Sequence, residues 1–330
     1  MPEQHAPAGP GPAPIKPAPE KPAAGPARKP HTPLAYERMD FLQSPPARTL
    51  RILAEYLEPQ FRFRQERVHD TVVFFGSARF FSREEATKTL EAARRRVKNS
   101  PGREARAKLE EARRDVAMSR YYEDARELAR LLTQWSLSLP HQKARFVVCS
   151  GGGPGIMEAA NRGACEARGR SVGLSITLPM EPEHNSYMTA ALDFHFHYFF
   201  MRKYWFVYLA KALIVFPGGF GTLDELFEIL TLVQTRKIRK KMVVLIYGSQ
   251  YWRRVINFPE MVRAGVISPE DLKLFQFADT PQAAFRLVKT GILGETEVEI
   301  LDGLKEGDEI VTGSYKTLRT LKDGAILKVE

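Results

Sequence analysis

The sequence predicts a parallel, three-layer α/β fold with helices on both faces of the sheet. Three observations predict it: short β-branched runs alternate with long helical stretches, those runs are apolar without a polar face, and two of them end in glycine turns that open a helix. The first strand is TVVFFGSARF, Thr71 to Phe80, with its apolar part ending at Gly76-Ser77. A helical region from Arg83 to Leu132 follows, split by the turn Asn99-Ser100-Pro101-Gly102. Phe146 to Cys149 is the second strand. It passes through Gly151-Gly152-Gly153-Pro154-Gly155 into a helix with apolar positions Ile156, Ala160 and Ala164. Ser171 to Ile176 is the third strand and Ala212 to Phe216 the fourth. The fourth leads through Pro217-Gly218-Gly219-Phe220-Gly221-Thr222 into the helix Leu223 to Gln234. Met242 to Tyr247 is the fifth, and Gln276-Phe277 begins a short sixth.

The flanks differ in kind. Residues 1–33 hold eleven of the 23 prolines, a composition that cannot bury enough apolar surface to offset its ordering entropy and predicts disorder. ARTLRILAEYLEPQFRF then reads as a short helix with Leu50, Leu53 and Leu57 on one face. Residues 292–330 alternate short Val/Ile runs with Asp-Gly, Glu-Gly and Thr-Gly turns, which predicts a small C-terminal β appendage. This tail carries nine acidic and five basic residues, so the chain before it carries the whole positive excess. The expected organisation is a Pro-rich segment at 1–33, an α/β domain at 34–291 with a helical insertion at 83–132, and the β tail at 292–330.

Composition removes several classes of protein. The chain has 330 residues, 44% hydrophobic and 27% charged, with a formal charge of +10, the balance of a soluble globular protein. The longest apolar run, Trp205 to Phe216, contains Lys211 and is shorter than the roughly 20 residues of a membrane helix. The start, MPEQHAPAGPG, has no basic region followed by an apolar core, so a reduced cytoplasmic protein is expected. Cys149 and Cys165 make neither a disulfide framework nor a zinc site. His195 and His197 would share a face of a strand, but no third ligand has metal-like spacing. No metal is expected. Residues 83–116 hold eleven Lys/Arg against seven Asp/Glu without interleaved aromatics, which reads as a solvated helical face and not as a nucleic-acid surface.

The two glycine turns carry the chemistry. A glycine turn from a strand into a helix presents free N–H groups at the positive end of the helix dipole. Neither turn has the Gly-Lys-Ser/Thr of a Walker A loop, and SGGGPGIME lacks dinucleotide spacing. On parallel strands the two can converge at one sheet edge and hold a phosphate and a sugar. Thr222 stands where the second helix begins, placed to cap it or to bind a phosphate oxygen, and Glu225 falls in the capping-box position. Upstream, Arg202-Lys203 interrupts an apolar helix, and a buried basic pair needs an anion or a carboxylate such as Glu225.

The turn Gly151 to Glu158, the Arg202-Lys203 pair and the PGGxGTxxE signature from Pro217 to Glu225 resemble the LOG family, Rossmann-like proteins long labelled lysine decarboxylases. The resemblance covers Thr71 to Val288, and the helical region before Arg145 and the LPMEPEHNSY loop resemble its larger bacterial members. It implies hydrolysis of the N-glycosidic bond of a purine nucleoside 5′-monophosphate, AMP-like or cytokinin, to free base and ribose 5-phosphate. A nucleotide-binding protein without catalysis is the alternative. Arg202 and Glu225 match the catalytic arginine and glutamate. Ser77, Gly151, Gly152, Gly153, Gly155, Lys203, Pro217, Gly218, Gly219, Gly221 and Thr222 are the expected substrate contacts, and Glu158, Glu181 and Asn185 are candidates for ribose or base contacts. No cofactor is implied, and no motif supplies a Schiff-base lysine. Met180 stands where the larger members carry His. The tail, LDGLKEGDEIVTG in particular, resembles the end of efflux-pump periplasmic adaptor subunits.

Assembly is also legible. From Phe199 to Ala212 the expected helix is apolar on nearly every side, which calls for cover on more than one side. A homodimer or larger even-numbered oligomer would supply that cover, as the resemblance implies. The alternative is that the segment Arg83 to Leu132 folds back over it.

Overall fold

The computed structural model describes residues 32–139, 145–177 and 184–293. They fall into a short unit ending at Arg51 and a main unit from Ile52. The first contains helix α1 (Met39–Leu42) and the start of α2 (Arg48–Gln65). Arg51 ties it together, its Nη1 donating to the carbonyls of Leu42 at 2.6 Å and Ser44 at 2.7 Å.

The main unit continues with β1 (Thr71–Phe75), α3 (Arg83–Asn99), α4 (Arg103–Ser138), β2 (Val147–Ser150), α5 (Ile156–Glu166), β3 (Ser171–Ile176) and β4 (Asp193–Phe196). Then come α6 (Phe199–Tyr208), β5 (Ala210–Val215), α7 (Phe220–Gln234), β6 (Val243–Tyr247), α8 (Ser249–Val255), α9 (Phe258–Arg263), β7 (Gln276–Ala278) and α10 (Pro281–Leu293). The strands form one parallel sheet in the order β4-β3-β2-β1-β5-β6-β7. Strand alternation sends Val72 and Phe74 to one face and Val73 and Phe75 to the other. The first face is covered by α4, α5 and α10, through residues such as Leu128, Ile156 and Val288. Phe63 of α2, Trp205 of α6, Leu226 of α7 and Trp252 of α8 cover the second. Each large side chain so buried contributes about 2–3 kcal/mol.

The predicted fold class holds, with local corrections. β1 stops at Phe75 instead of Phe80, because Gly76 and the residues after it form the crossover loop. A seventh strand, β4, was not among the expected ones; it is four residues long and lies at the sheet edge, where DFHF buries Phe194 and Phe196 and leaves His195 exposed. His197 falls past its end, while His195 Nε2 lies 2.8 Å from Thr177 Oγ1 and its ring stacks on His184. Helix α6 ends at Tyr208 and not at Ala212, because Ala210 already pairs with Thr71 in β5. Lys240 Nζ caps the end of α6, donating to the carbonyls of Val207 at 2.6 Å and Tyr208 at 2.7 Å.

The region Arg83 to Leu132 has two characters. Helix α3 opens on a capping box between Ser82 and Glu85 and ends at the expected turn. It packs on the first half of α4 through a small cluster of Leu90, Ala93 and Ala112, and its exposed charges pair along the helices, as in Lys88–Glu84. The second half of α4 is a layer of the main fold, with Tyr122, Ala125, Leu128 and Leu132 buried against the sheet. The β tail from 294 onward and the Pro-rich segment up to residue 31 lie outside the described residues.

Candidate active site

Three βα turns meet at the carboxyl ends of β1, β2 and β5. The strand order changes direction between β1 and β5, the place where open parallel sheets leave a crevice. Backbone hydrogen bonds join the three turns there. Ser77 N donates to the Pro217 carbonyl at 3.0 Å, and Ile156 N donates to the Ser77 carbonyl at 3.0 Å. Gly76 lies against Ile156, where a Cβ would come within 2.7 Å of its side chain. Ser77 Oγ accepts from the Arg79 amide at 3.1 Å.

The first glycine turn is held from below. Gly155 adopts φ 71°, and a Cβ there would lie 2.3 Å from the Ser77 carbonyl oxygen, so only glycine fits. Asn185 is buried, and its Nδ2 group donates to the carbonyls of Gly152, Gly153 and Asn161 Oδ1, each at 3.0 Å. Asn161 Oδ1 also accepts from Ser150 Oγ at 2.6 Å, and Ser150 Oγ accepts from the Gly152 amide at 3.1 Å. The Asn185 amide nitrogen is thus spent on the turn and on Asn161, and its Oδ1 accepts from the Tyr187 amide at 3.2 Å. Glu158 points toward α4, where the Tyr122 hydroxyl donates to its Oε1 at 2.5 Å. The hydrogen bonds of Asn185 and Glu158 thus run to the first turn, its neighbours and α4. Glu181 and Met180 lie outside the described residues.

The second turn is open. Helix α7 starts at Phe220 with Gly219 as N-cap and no side-chain cap, so Thr222 and Glu225 are not the capping box that their spacing suggested. Thr222 instead sits in the first helical turn, buried, with its Oγ1 2.1 Å from where a Cβ on Gly218 would lie. A Cβ on Gly219 or Gly221 would meet nothing within 4 Å. Among the described residues no acceptor meets the amides of Gly218 and Gly219. The Tyr251 hydroxyl donates to the Gly218 carbonyl at 2.8 Å.

Glu225 lies one turn further along α7, about 5 Å along the axis from Thr222. Its Oε1 is 3.4 Å from Arg202 Nη2, and the two side chains are only 15% and 13% exposed. That separation is long for a charge-assisted bond. Arg202 Nε is buried with no partner among the described residues, and its guanidinium lies 4.9 Å from the Phe199 ring centroid. Burial pushes the Glu225 carboxyl up to about 7 against the opposing pull of Arg202. Burial likewise lowers the Arg202 pKa from its ordinary value, partly offset by Glu225 and Asp224. An incompletely satisfied, desolvated arginine beside a raised carboxyl suits an anionic ligand. Lys203 is engaged elsewhere, by Asp224 at 2.7 Å and Glu228 at 2.8 Å. Among the described residues no group of three His, Cys, Asp or Glu side chains could hold a metal.

Tyr251 escaped the sequence reading, as did the Ser150–Asn161–Asn185 network. The one available signal for Tyr251 was position: it follows the carboxyl end of β6, where site-forming turns gather.

The fold and these turns define a Rossmann-like α/β protein. Residues 157–288 match the protein-family model described as a possible lysine decarboxylase. The chain is 36% identical over 74 residues to a probable cytokinin riboside 5′-monophosphate phosphoribohydrolase, LOGL3, of Oryza sativa subsp. japonica, covering 22% of this chain and 35% of that one. It is 27% identical over 191 residues to the cytokinin riboside 5′-monophosphate phosphoribohydrolase LOG5 of Arabidopsis thaliana, covering 54% and 78%. Over part of its α/β region the chain is thus similar to cytokinin riboside 5′-monophosphate phosphoribohydrolases. A solved structure, the molybdenum cofactor binding protein from Rippkaea orientalis, is 21% identical with a TM-score of 0.35 over 52% of this chain and 86% of that one, a likeness too low to carry an argument.

Proposed function

We propose that the chain hydrolyses the N-glycosidic bond of a purine nucleoside 5′-monophosphate, AMP-like or cytokinin, releasing free base and ribose 5-phosphate. The observation that carries this reading is the buried Arg202–Glu225 pair, with an unpartnered Arg202 Nε, one helical turn from the open second glycine turn. The 5′-phosphate would sit on the amides of Gly218 to Thr222 at the start of α7. As the bond from C1′ to the base nitrogen breaks, its electron pair leaves with the base, and positive charge builds on the ribose carbon. A carboxylate at Glu225 stabilises that charge and takes a proton from the water whose oxygen bonds to C1′. Arg202, with its rigid and permanently charged fork, anchors the substrate anion and holds Glu225. The glycines of the first turn and Ser77 shape the crevice floor. Lys203 braces α6 against α7.

The test is a screen of purine nucleoside monophosphates, with and without a prenyl group on the base, for released base. Release from at least one supports the reading. Binding with no release from any of them leaves the chain a nucleotide-binding protein without this activity.

The reading includes a homodimer or larger even-numbered assembly. Phe199 and Phe200 on α6 are about half exposed and Phe220 is 92% exposed. Beside them runs a groove of about 550 Å³ lined by Lys203, Phe220, Leu223, Phe227 and Leu232. The second half of α4 covers the opposite face of the sheet, so it does not supply this cover within the chain. Light scattering at low micromolar concentration should give a mass of two or more chains; an active monomer refutes the assembly. A cytoplasmic site of action belongs to the same reading, supported by two free thiols, Cys149 and Cys165. Among the described residues no helix is long and apolar enough to cross a membrane. A specific nucleic-acid partner is not part of it, since the basic hairpin of α3 and α4 pairs charges along its own helices.

A further inference from the structure

The second glycine turn has an open space above it and two of its carbonyls held from other parts of the fold. Pro217 O accepts from the Ser77 amide at 3.0 Å, and Gly218 O accepts from the Tyr251 hydroxyl at 2.8 Å. Every peptide bond here is trans, so the C=O and N–H of one peptide unit point in opposite directions. Holding the Gly218 carbonyl therefore fixes where the Gly219 N–H points. That N–H has no acceptor among the described residues, and a Cβ on Gly219 would meet nothing within 4 Å.

We infer that Tyr251 is a positioning residue: its hydroxyl, by holding the Gly218 carbonyl, turns the Gly219 N–H toward the anion that the turn receives. The inference rests on the reading of this turn as a phosphate cradle. Glycines at 218 and 219 give the peptide unit freedom to rotate, and an unheld unit would sample orientations in which the N–H faces away from the ligand. Tyr251 is itself well fixed. Helix α8 is anchored by Asp279, which accepts from the Ser249 amide and hydroxyl at 2.7 Å each. The neighbouring Trp252 is fully buried and donates through Nε1 to the Tyr247 carbonyl at 3.0 Å. Tyr251 meets the Trp252 ring edge-on at 5.2 Å, a contact that does not need the hydroxyl. Burial raises the Tyr251 pKa, which keeps the hydroxyl protonated and able to donate. The bond links residues 33 apart and couples the turns after β5 and β6.

Tyr251→Phe removes only the hydroxyl, so the full chain should keep its fold. The probes are ribose 5-phosphate, which carries the anion without a base, and adenosine, which carries the base without the anion. Tyr251→Phe should weaken ribose 5-phosphate binding about fivefold to tenfold, the scale of one misaligned charge-assisted hydrogen bond. Adenosine affinity should be unchanged, and for a hydrolysed nucleotide KM should rise by the same factor with kcat within about twofold. Ribose 5-phosphate affinity unchanged in the variant overturns the inference. So does an equal loss for both probes, which would mean a general structural role, or a native chain that does not bind ribose 5-phosphate. A native chain that releases no base, yet binds ribose 5-phosphate in a Tyr251-dependent way, refutes the proposed hydrolysis and leaves this inference standing.

Discussion

The two glycine turns look alike in sequence and use glycine for opposite reasons. In the first, a side chain at Gly151, Gly152, Gly153 or Gly155 would strike Met157, Ser175, Met157 or the Ser77 backbone within 3 Å, and Gly152 and Gly155 have positive φ. At Gly152 and Gly155 glycine lets the turn be packed, whereas Gly151 and Gly153 meet only the movable end of Met157. In the second, Gly219 and Gly221 have no positive φ and face empty space. Nothing within the described fold requires glycine at either position. The lesson is that glycine at 152 and 155 serves packing, as it does at Gly218 against Thr222, whereas Gly219 and Gly221 leave open space on their Cβ side.

That distinction can be broken by experiment, beginning with the largest effect. Gly155→Ala should cost about 3 kcal/mol or more, combining left-handed backbone strain with a clash against backbone that cannot move aside. Urea unfolding measures it, and an unchanged midpoint would refute the scaffold role. Glu225→Gln should keep fold and nucleotide binding while lowering turnover by about 10²-fold or more, the range for losing a general base. Undiminished release of base in that variant removes Glu225 from the mechanism.

The same variant sharpens the electrostatic picture. The folded Glu225 carboxyl titrates near 7 instead of 4.5, so the native state binds more protons than the unfolded chain between those values. Stability from this group is complete below 4.5 and is lost as pH rises through 7. Native stability should therefore fall against that of Glu225→Gln by about 2–3 kcal/mol across that window. Parallel stability curves for the two proteins would contradict the burial of the carboxyl. The smallest effect belongs to Gly221→Ala. In an open helical position it should stabilise the chain by about 0.5–1 kcal/mol, a small rise in melting temperature, while weakening ribose 5-phosphate binding. Loss of stability there would show that the second turn is packed after all.

Much of this was legible in the chain, for physical reasons. Strands β1, β2, β3, β5 and β6 announce themselves as apolar β-branched runs because both their faces are buried, and PGGFGTLDE marks a strand-to-helix turn by its glycines. The Arg202–Glu225 pair was readable because a basic residue in an apolar helix demands a partner, and the structure supplies it at 3.4 Å. Strand β4 was hidden because four residues at a sheet edge carry too little pattern. The cap on α7 was misread because the helix begins at Phe220, three residues earlier than its apolar periodicity suggests. The bonds from Asn185 to Asn161 and from Asn161 to Ser150 were hidden because a polar loop gives no hint of the buried asparagine and serine beneath it. Tyr251 left no local trace, since its one telling bond spans 33 residues.

The position of β1 in the middle of the sheet has a consequence for biosynthesis. Its two edges are satisfied at very different times as the chain leaves the ribosome. Val147 arrives to pair with Thr71 long before Ala210, which pairs with the same residue from the other side. At about 5–20 residues per second, the delay between those two partners is roughly 3 to 13 s. Through that interval the TVVFF strand stands as an unpaired, fully apolar edge, the kind of template on which nascent chains aggregate. The seam between β1 and β5 thus closes well after that between β1 and β2, and shielding of the nascent chain over this interval should govern how much of the protein reaches its folded state.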